Sequence, residues 1–246
     1  MSEDFRPVRH SRSSSPLGRV LFALRLCADL QVATVYAHVK PFLGSASGTL
    51  VDVGAGDMPY RHLVAPGCSY KPIDAAHSGE FGYTNADVTP FDGTNIPFET
   101  GSVDHVLCTE VIEHLPDPSP LVGEVHRVLR PGGTALVTVP WSARCHYMPH
   151  DYHRFTPTAL GLLFSKFASV EIVPRGTDVS AIGAKMLVAW ARLVVPAPRV
   201  LAVVTWLPAL LLAPFVAAGV LAGHAGAWLS VGSRDDPLGY TVRVTK

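Results

Sequence analysis

Short apolar runs that end in glycine, proline or an acidic residue alternate with segments of helical periodicity from residue 49 onward. Apolar runs bounded by turn residues are typical of buried strands, whereas apolar positions three and four residues apart indicate helices. The alternation predicts an α/β fold with a doubly wound, mostly parallel sheet. The predicted strands are 49–54, 69–75, 82–88, 103–111, 134–140, 169–174 and 238–246, and the predicted helices are 17–40, which Pro41 should end, 121–129 and 156–167.

A long apolar stretch occupies residues 179–235, before the last predicted strand. No residue from Val200 to Ser233 carries a formal charge, and about 20 apolar residues are enough to span a bilayer. Lys185 and Arg192 lie seven positions apart in the preceding part, as they would on one face of an interfacial helix. The stretch therefore predicts a hydrophobic helical insertion.

The final strand limits how this insertion meets a membrane, because the chain must return to the side that it left. A single span is excluded, which leaves a re-entrant or two-pass hairpin, an in-plane anchor, or a buried cap or homodimer interface. Pro208 and Pro214 are expected to break the stretch. Arg199 and Arg234 flank it, as expected if both ends are cytoplasmic. We favour association with the cytoplasmic face of the membrane.

Composition narrows the class of protein. The 246 residues contain 20 Lys+Arg and 20 Asp+Glu, so the formal net charge is zero and a general nucleic-acid binder is disfavoured. The four cysteines form no CxxC pair, which argues against a zinc ribbon or a disulfide framework and favours reduced thiols in the cytoplasm. We divide the chain into a polar, disordered tail (1–16), one domain (17–178 with 236–246) and the insertion (179–235).

Glycines and acids follow the predicted strands at the positions that a nucleoside ligand requires. Gly54 and Gly56 end the first strand, where they let backbone approach a ligand closely. Asp74 ends the second strand and can accept both ribose hydroxyls. Asp87 follows the third strand, where it can accept from an adenine amino group, and Thr109–Glu110 ends the fourth beside the same crevice.

With these motifs the sequence resembles the class I S-adenosylmethionine-dependent methyltransferases, close to the type 11 methyltransferase-domain group. The resemblance covers about residues 48–175. It implies a Rossmann-like sheet of seven strands whose last strand is antiparallel, and 238–246 fits that strand. The matching segments are VDVGAG (51–56), ID (73–74), ADVTPFD (86–92), IPFETGSVDHVLCTEVIEHLPDP (96–118) and VHRVLRPGGTALVTVP (125–140).

The resemblance also implies S-adenosylmethionine as cofactor and a role for each matching residue. One departure is that the third glycine of the family's turn is missing, and Arg61 is our candidate partner for the methionyl carboxylate. A dinucleotide site is disfavoured, since position 59 is proline. The implied roles are the methionine end of the site for Asp52, Gly54 and Gly56, the ribose for Asp74, the adenine for Asp87 and the backbone of Val88, and the sulfonium side for Thr109 and Glu110.

Candidate catalytic residues cluster in 146–156, just after the fifth strand. A base in this position would serve a hydroxyl or phenol acceptor. His114, in the family's EHL stretch, is a third candidate base, although its match favours packing near the cofactor. Three interpretations of the cluster stay open: a substrate loop with His150 or His153 as base, a structural loop tied by Asp151 and Arg154, and a metal site of His146, His150 and Asp151; we expect no metal.

These inferences predict an S-adenosylmethionine-dependent methyltransferase that acts on oxygen, nitrogen or carbon of a small hydrophobic or lipid-linked acceptor at the membrane face. Two alternatives remain. One is a non-methylating S-adenosylmethionine-dependent enzyme such as a cyclase. The other is a non-catalytic membrane scaffold, against which the acids at 52, 74 and 87 argue.

Overall fold

A computed structural model describes residues 5, 15–76, 83, 85–196 and 199–246. Seven strands of these residues form one sheet, which confirms the predicted Rossmann-like fold. The strands are β1 (Thr49–Val53), β2 (Ser69–Ala75), β3 (Thr89–Phe91), β4 (Val103–Thr109), β5 (Leu129–Pro140), β6 (Ser169–Arg175) and β7 (Gly239–Thr245). Their order is β3-β2-β1-β4-β5-β7-β6, and β7 alone runs antiparallel to its neighbours β5 and β6.

Helices cover both faces of the sheet. Alternate residues of the central strands point to opposite faces, so that Val51 and Val53 join one apolar cluster with α3 and α4, while Leu50 joins another with α2. Most of the predicted 1–16 tail lies outside the described residues. The helices are α1 (Pro16–Ala28), α2 (Leu30–Gly44), α3 (Ser119–Val128), α4 (Pro157–Leu163), α5 (Asp178–Val194) and α6 (Ala202–Leu229).

The helix predicted over 17–40 is in fact two helices, α1 and α2, which meet at 110°. Asp29 separates them in an extended conformation, and its side chain accepts a hydrogen bond from the backbone N–H of Val32 as the N-cap of α2. The prediction that Pro41 ends the helix is also wrong, since α2 continues to Gly44. A proline in the last turn removes only its own hydrogen bond, which the end of a helix tolerates.

Two strand predictions also need correction. The third strand is β3 and not 82–88: within 85–88 the chain turns, with Asn85 accepting from the backbone N–H of Asp87, and 82 and 84 lie outside the described residues. The strand predicted over 134–140 begins earlier, because β5 starts at Leu129 and includes Pro131–Gly133, where the pairing with β4 shifts register.

The predicted insertion is a pair of helices, α5 and α6, that pack closely against each other. A side chain at Gly183 would collide with the backbone carbonyl of Gly219, so glycine is required where the helices touch. The stretch is not broken at Pro208 or Pro214, because α6 continues through both. The buried positions of α6 form one stripe, Ala209, Val216, Val220, Gly223 and Gly226.

The rest of α6 presents apolar side chains to the surface. Among the described residues, the stretch Arg199–Leu229 is the one single helix long and apolar enough to cross a membrane, with a mean hydropathy of 2.3 and 11% of its tested window buried. The bent pair α1–α2 meets the same test only if both helices count as one span. A single helix that passes this test of length and composition is weak evidence for a membrane span. The exposure of its apolar side chains is observed directly in the fold.

Candidate functional site

A cavity of about 780 Å³ opens at the carboxyl ends of β1, β2 and β4. Ligands of open α/β sheets bind at this edge, and the volume lies within the range of small-molecule sites. Residues at the sheet edge and residues of α5 both line it, and we call these two sets the sheet wall and the α5 wall. The residues of the sheet wall include Asp52, Gly54, Gly56, Asp74, Thr109 and Glu110, and those of the α5 wall are Ala184, Lys185, Val188, Ala189 and Arg192.

The turn after β1 has a conformation that depends on glycine. Gly54 and Gly56 have φ angles of 72° and 51°, in the left-handed region that L side chains rarely adopt. A β-carbon at Gly54 would overlap with Val111. The backbone N–H of Gly56 donates to Asp74 Oδ2 over 3.0 Å, so the turn and the end of β2 are held together. The structure therefore brings three predicted cofactor residues into one corner.

Asp52 is buried at the same corner, with 2% of its surface exposed. It accepts a hydrogen bond from the Tyr70 hydroxyl. Burial raises the pKa of Asp52 to about 7, the Tyr70 hydrogen bond opposes this, and the charge of Asp74 adds to it. Nothing in the sequence pointed to Tyr70, which reaches Asp52 from the neighbouring parallel strand.

Glu110 adopts a left-handed conformation directly after β4, with φ of 53°. Its carboxylate pairs with Arg175 over 2.8 Å, and the Arg175 side chain is fully buried at the end of β6. The same guanidinium donates to the backbone carbonyl of Val139 and to Thr34 Oγ1. Arg175 thus ties the ends of three strands to α2, and sequence reasoning missed it.

Of the three predicted bases, His114 lines the cavity, whereas the side chains of His150 and His153 are not among the residues described as lining it. His114 Nδ1 lies 2.6 Å from the backbone oxygen of His150, and burial lowers the pKa of His114 to about 4. Its imidazole is therefore neutral near pH 7. His146, which was considered only as a metal ligand, also lines the cavity.

The loop after β5 is internally tied. Arg154 donates to both carboxylate oxygens of Asp151, over 2.6 and 2.8 Å, and the Asp151 side chain is almost fully buried. Asp151 also accepts from the backbone N–H of His146. These contacts favour the interpretation of 146–156 as a structural loop that presents His146 to the cavity.

The residues predicted to contact the adenine and the methionyl carboxylate are not part of the described cavity lining. Arg61 and Asp87 form an ion pair of 3.5 Å in which both side chains are largely exposed. Neither they nor Val88 belong to the described lining of the cavity. Their roles toward a cofactor stay predictions.

Comparisons with known proteins point to the same part of the chain. Residues 51–137, from β1 to β5, match the family model described as a methyltransferase domain. The chain carries a methyltransferase domain. The predicted resemblance to the methyltransferase-domain family is thereby confirmed for this part of the chain, and S-adenosylmethionine is the cofactor that such a domain implies.

Two relatives and one solved structure illustrate the family. An uncharacterised methyltransferase of Mycobacterium sp. (strain JLS) is 36% identical over 95 residues, which are 37% of this chain and 38% of that protein. A ubiquinone/menaquinone biosynthesis C-methyltransferase of Geotalea daltonii is 32% identical over 155 residues, 55% of this chain and 65% of that protein. The chain thus spans less than two thirds of either relative. A SAM dependent methyltransferase from Archaeoglobus fulgidus shares the fold, with a TM-score of 0.51, 12% identity, and coverage of 93% of this chain and 99% of that one.

The residues of the domain fit this cofactor. Because Gly54 and Gly56 carry no β-carbon, the turn leaves space at the cavity wall, as a close-lying methionyl group requires. The Asp74 carboxylate, at the end of β2, is placed to accept from ribose hydroxyls, and Thr109 and Glu110 lie on the next strand. When bound, S-adenosylmethionine supplies an electrophilic methyl group.

Proposed function

We propose that the chain is an S-adenosylmethionine-dependent methyltransferase that acts on a hydrophobic or lipid-linked acceptor at a membrane face. One observation carries this proposal: the cavity that is lined by the glycine turn is also lined by α5, whose packing partner α6 presents an exposed apolar surface. An acceptor at the α5 wall would lie next to that surface.

The exposed surface of α6 is too apolar for ordinary contact with water. Soluble proteins rarely expose contiguous apolar patches of more than a few hundred Å², and larger ones mark interaction sites. Large apolar side chains of α1 are exposed as well. Those of α6 are Val203, Val204, Trp206, Leu207, Leu210, Leu211, Leu212, Phe215, Leu221, Trp228 and Leu229.

The wall of the cavity toward α1 and α5 carries three cations, Arg25, Lys185 and Arg192. Arg25 pairs with Asp29 over 3.2 Å. Basic side chains beside an apolar surface suit an acceptor with a polar or anionic head and an apolar tail. The Geotalea daltonii relative, named for quinone biosynthesis, supports a hydrophobic acceptor of this kind.

The chain's own contribution to methyl transfer is alignment of the acceptor and exclusion of water. If the acceptor is a hydroxyl or phenol, His114 is the predicted base that lies at the cavity. Its neutral imidazole can accept a proton, and the contact with the backbone oxygen of His150 fixes its ring. Burial keeps this base weak, which suits an acceptor whose proton is already acidic.

Calorimetric titration of the purified protein with S-adenosylhomocysteine tests the cofactor site, in detergent and without it. We expect micromolar binding in at least one condition. Absence of binding in both would reject the enzymatic proposal and favour the scaffold alternative.

Flotation with phospholipid vesicles tests the membrane face. Leu210→Asp in α6 and Leu162→Asp in α4 are matched variants, since the two leucines are 71% and 73% exposed. Removing one leucine from a membrane-buried surface costs about 1.5–3 kcal/mol, so Leu210→Asp should lower vesicle partitioning at least about tenfold. Leu162→Asp should leave it unchanged. Equal partitioning of both variants, or no partitioning of the unmodified protein, would refute the membrane assignment.

A further inference from the structure

Glu113 is a buried carboxyl group with no hydrogen-bond partner. Its side chain is fully buried, and among the described residues neither Oε1 nor Oε2 has a hydrogen-bond donor. Leaving such a group unsatisfied costs free energy, and buried polar atoms of native proteins nearly always have a partner. The turn that carries it, Ile112–His114, begins three residues after the end of β4, and its last residue, His114, lines the cavity.

Two histidines face this carboxyl group. His114 Nε2 lies 3.7 Å from Glu113 Oε1. The ring of His146 lies at 4.8 Å from that of His114, centroid to centroid, in an edge-to-face arrangement. One ligand atom from each of Glu113, His114 and His146 can be chosen so that all three lie within 4.8 Å of one another. Two imidazoles and one carboxylate are the protein ligands of many catalytic zinc sites, which keep a fourth position open.

The contacts behind the rings are those of metal-binding histidines. Such histidines hold the second ring nitrogen against a carbonyl or carboxylate, which fixes ring orientation and tautomer. His114 Nδ1 lies 2.6 Å from the backbone oxygen of His150. His146 Nδ1 lies 3.3 Å from the backbone oxygen of Arg144 and 3.4 Å from Asp151 Oδ2. In both residues Nε2 is then the ligand atom.

We propose that Glu113, His114 and His146 bind a divalent cation of the zinc class. Bonds of about 2.1 Å require a modest contraction of the cluster, which small side-chain rotations supply. The set differs from the one considered from sequence: Asp151 is engaged by Arg154, and His150 contributes its backbone oxygen.

The open coordination position would face the cavity, because His114 and His146 both line it. An oxygen or nitrogen atom of the acceptor could then coordinate the cation, and a hydroxyl bound there would have a lowered pKa. This use of the cation rests on the proposed methyltransferase function, and it replaces His114 as the base, because an imidazole that ligates a cation cannot also accept the proton of the acceptor. Binding of the cation does not rest on that function.

The test uses the full-length protein, stripped with EDTA and kept reduced, and titrated with Zn²⁺ by calorimetry. We expect one ion per chain. Glu113→Gln, His114→Ala and His146→Ala should each weaken its affinity at least about 100-fold, whereas His126→Gln, in α3 and outside the cluster, should leave it unchanged. Co²⁺ in place of Zn²⁺ should give visible absorption without sulfur-to-metal charge transfer, which separates this site from the exposed thiols of Cys27 and Cys145.

The inference is overturned if the unmodified protein binds no stoichiometric Zn²⁺, or if Glu113→Gln and His146→Ala retain its affinity. Circular dichroism identifies a variant that fails to fold, and the near-isosteric Glu113→Gln then decides. Titration of the same samples with S-adenosylhomocysteine separates the two proposals. Cofactor binding without zinc binding would remove the metal site alone, and zinc binding without cofactor binding would remove the methyltransferase proposal alone.

Discussion

Replacement of Arg175 by methionine should destabilise the protein strongly, although the residue lies at the end of a strand near the rim of the sheet. The guanidinium is fully buried and donates to Glu110 over 2.8 Å, to the Val139 carbonyl over 3.0 Å and to Thr34 over 3.3 Å. Methionine fills much of the same volume but donates no hydrogen bond.

The magnitude follows from these contacts. Removing one partner of a buried ion pair typically costs about 3–5 kcal/mol. Glu110 is 30% exposed, so water recovers part of that loss, and we expect about 3 kcal/mol. For a protein of this size that corresponds to a fall in Tm of roughly 6–12 °C.

Urea unfolding followed by circular dichroism measures this loss, and Arg243→Met is the matched control. Arg243 lies on the adjacent strand β7 and pairs with Glu171 over 3.3 Å, but both side chains are exposed. An exposed pair contributes about 0–1 kcal/mol. The double variant Arg175→Met/Glu110→Gln should show a coupling of at least about 1 kcal/mol. A loss below about 1 kcal/mol for Arg175→Met, or equal losses for the two arginines, would refute the assignment of Arg175 as a clamp.

Three further predictions concern Asp74, Gly54 and Asp52, which all line the cavity. Asp74→Asn should weaken S-adenosylhomocysteine binding about tenfold or more in calorimetry, while Asp92→Asn, in an exposed loop, should not; equal affinities would contradict the ribose role. Gly54→Ala should cost about 2–4 kcal/mol in urea unfolding, and Gly67→Ala only about 1–2 kcal/mol, because both have positive φ but only Gly54 lacks space for a β-carbon. Since the pKa of Asp52 is raised to about 7 in the fold, its contribution to stability is complete below about pH 4 and is lost as pH rises to 7. Asp52→Asn should therefore gain about 2–3 kcal/mol relative to the unmodified protein between pH 4.5 and 7.5, and a difference that does not change with pH would show that Asp52 is ionised throughout.

The sequence was informative wherever residues that act together lie near each other along one βα unit. The turn at 54–56 and Asp74 were predictable because parallel strands end at the same edge and glycine at a strand end has few other uses. Arg175 was not, because a buried arginine resembles a surface one in sequence, and its partner Glu110 lies 65 positions away. The break at Asp29 was missed for a local reason: the apolar periodicity continues across it, and an aspartate can be either a helix residue or an N-cap.

The proximity of His114 and His146 could also be recognised only from the fold. His114 was predicted from its motif and His146 from the cluster after β5, but nothing in the spacing distinguished His146 from His150 or His153. The choice is made by the Asp151–Arg154 pair, which turns the loop so that His146 faces the cavity. A hydrogen bond inside a loop therefore decides which of three histidines can act at the site.

The register of β7 explains why the apolar helices lie beside the cavity. Gly239, the first residue of β7, pairs with Pro140 at the end of β5 and with Arg175 at the end of β6. Both neighbours end at the edge where the cavity opens, so the segment from 176 to 238 leaves the sheet and returns to it at that edge. Any helices inserted there must pack next to the site, because both of their ends are fixed there. Because this segment is apolar, the surface that we propose to bind a membrane and the wall that we propose to contact the acceptor belong to the same helix pair, and a membrane-bound acceptor would need little displacement to reach the site.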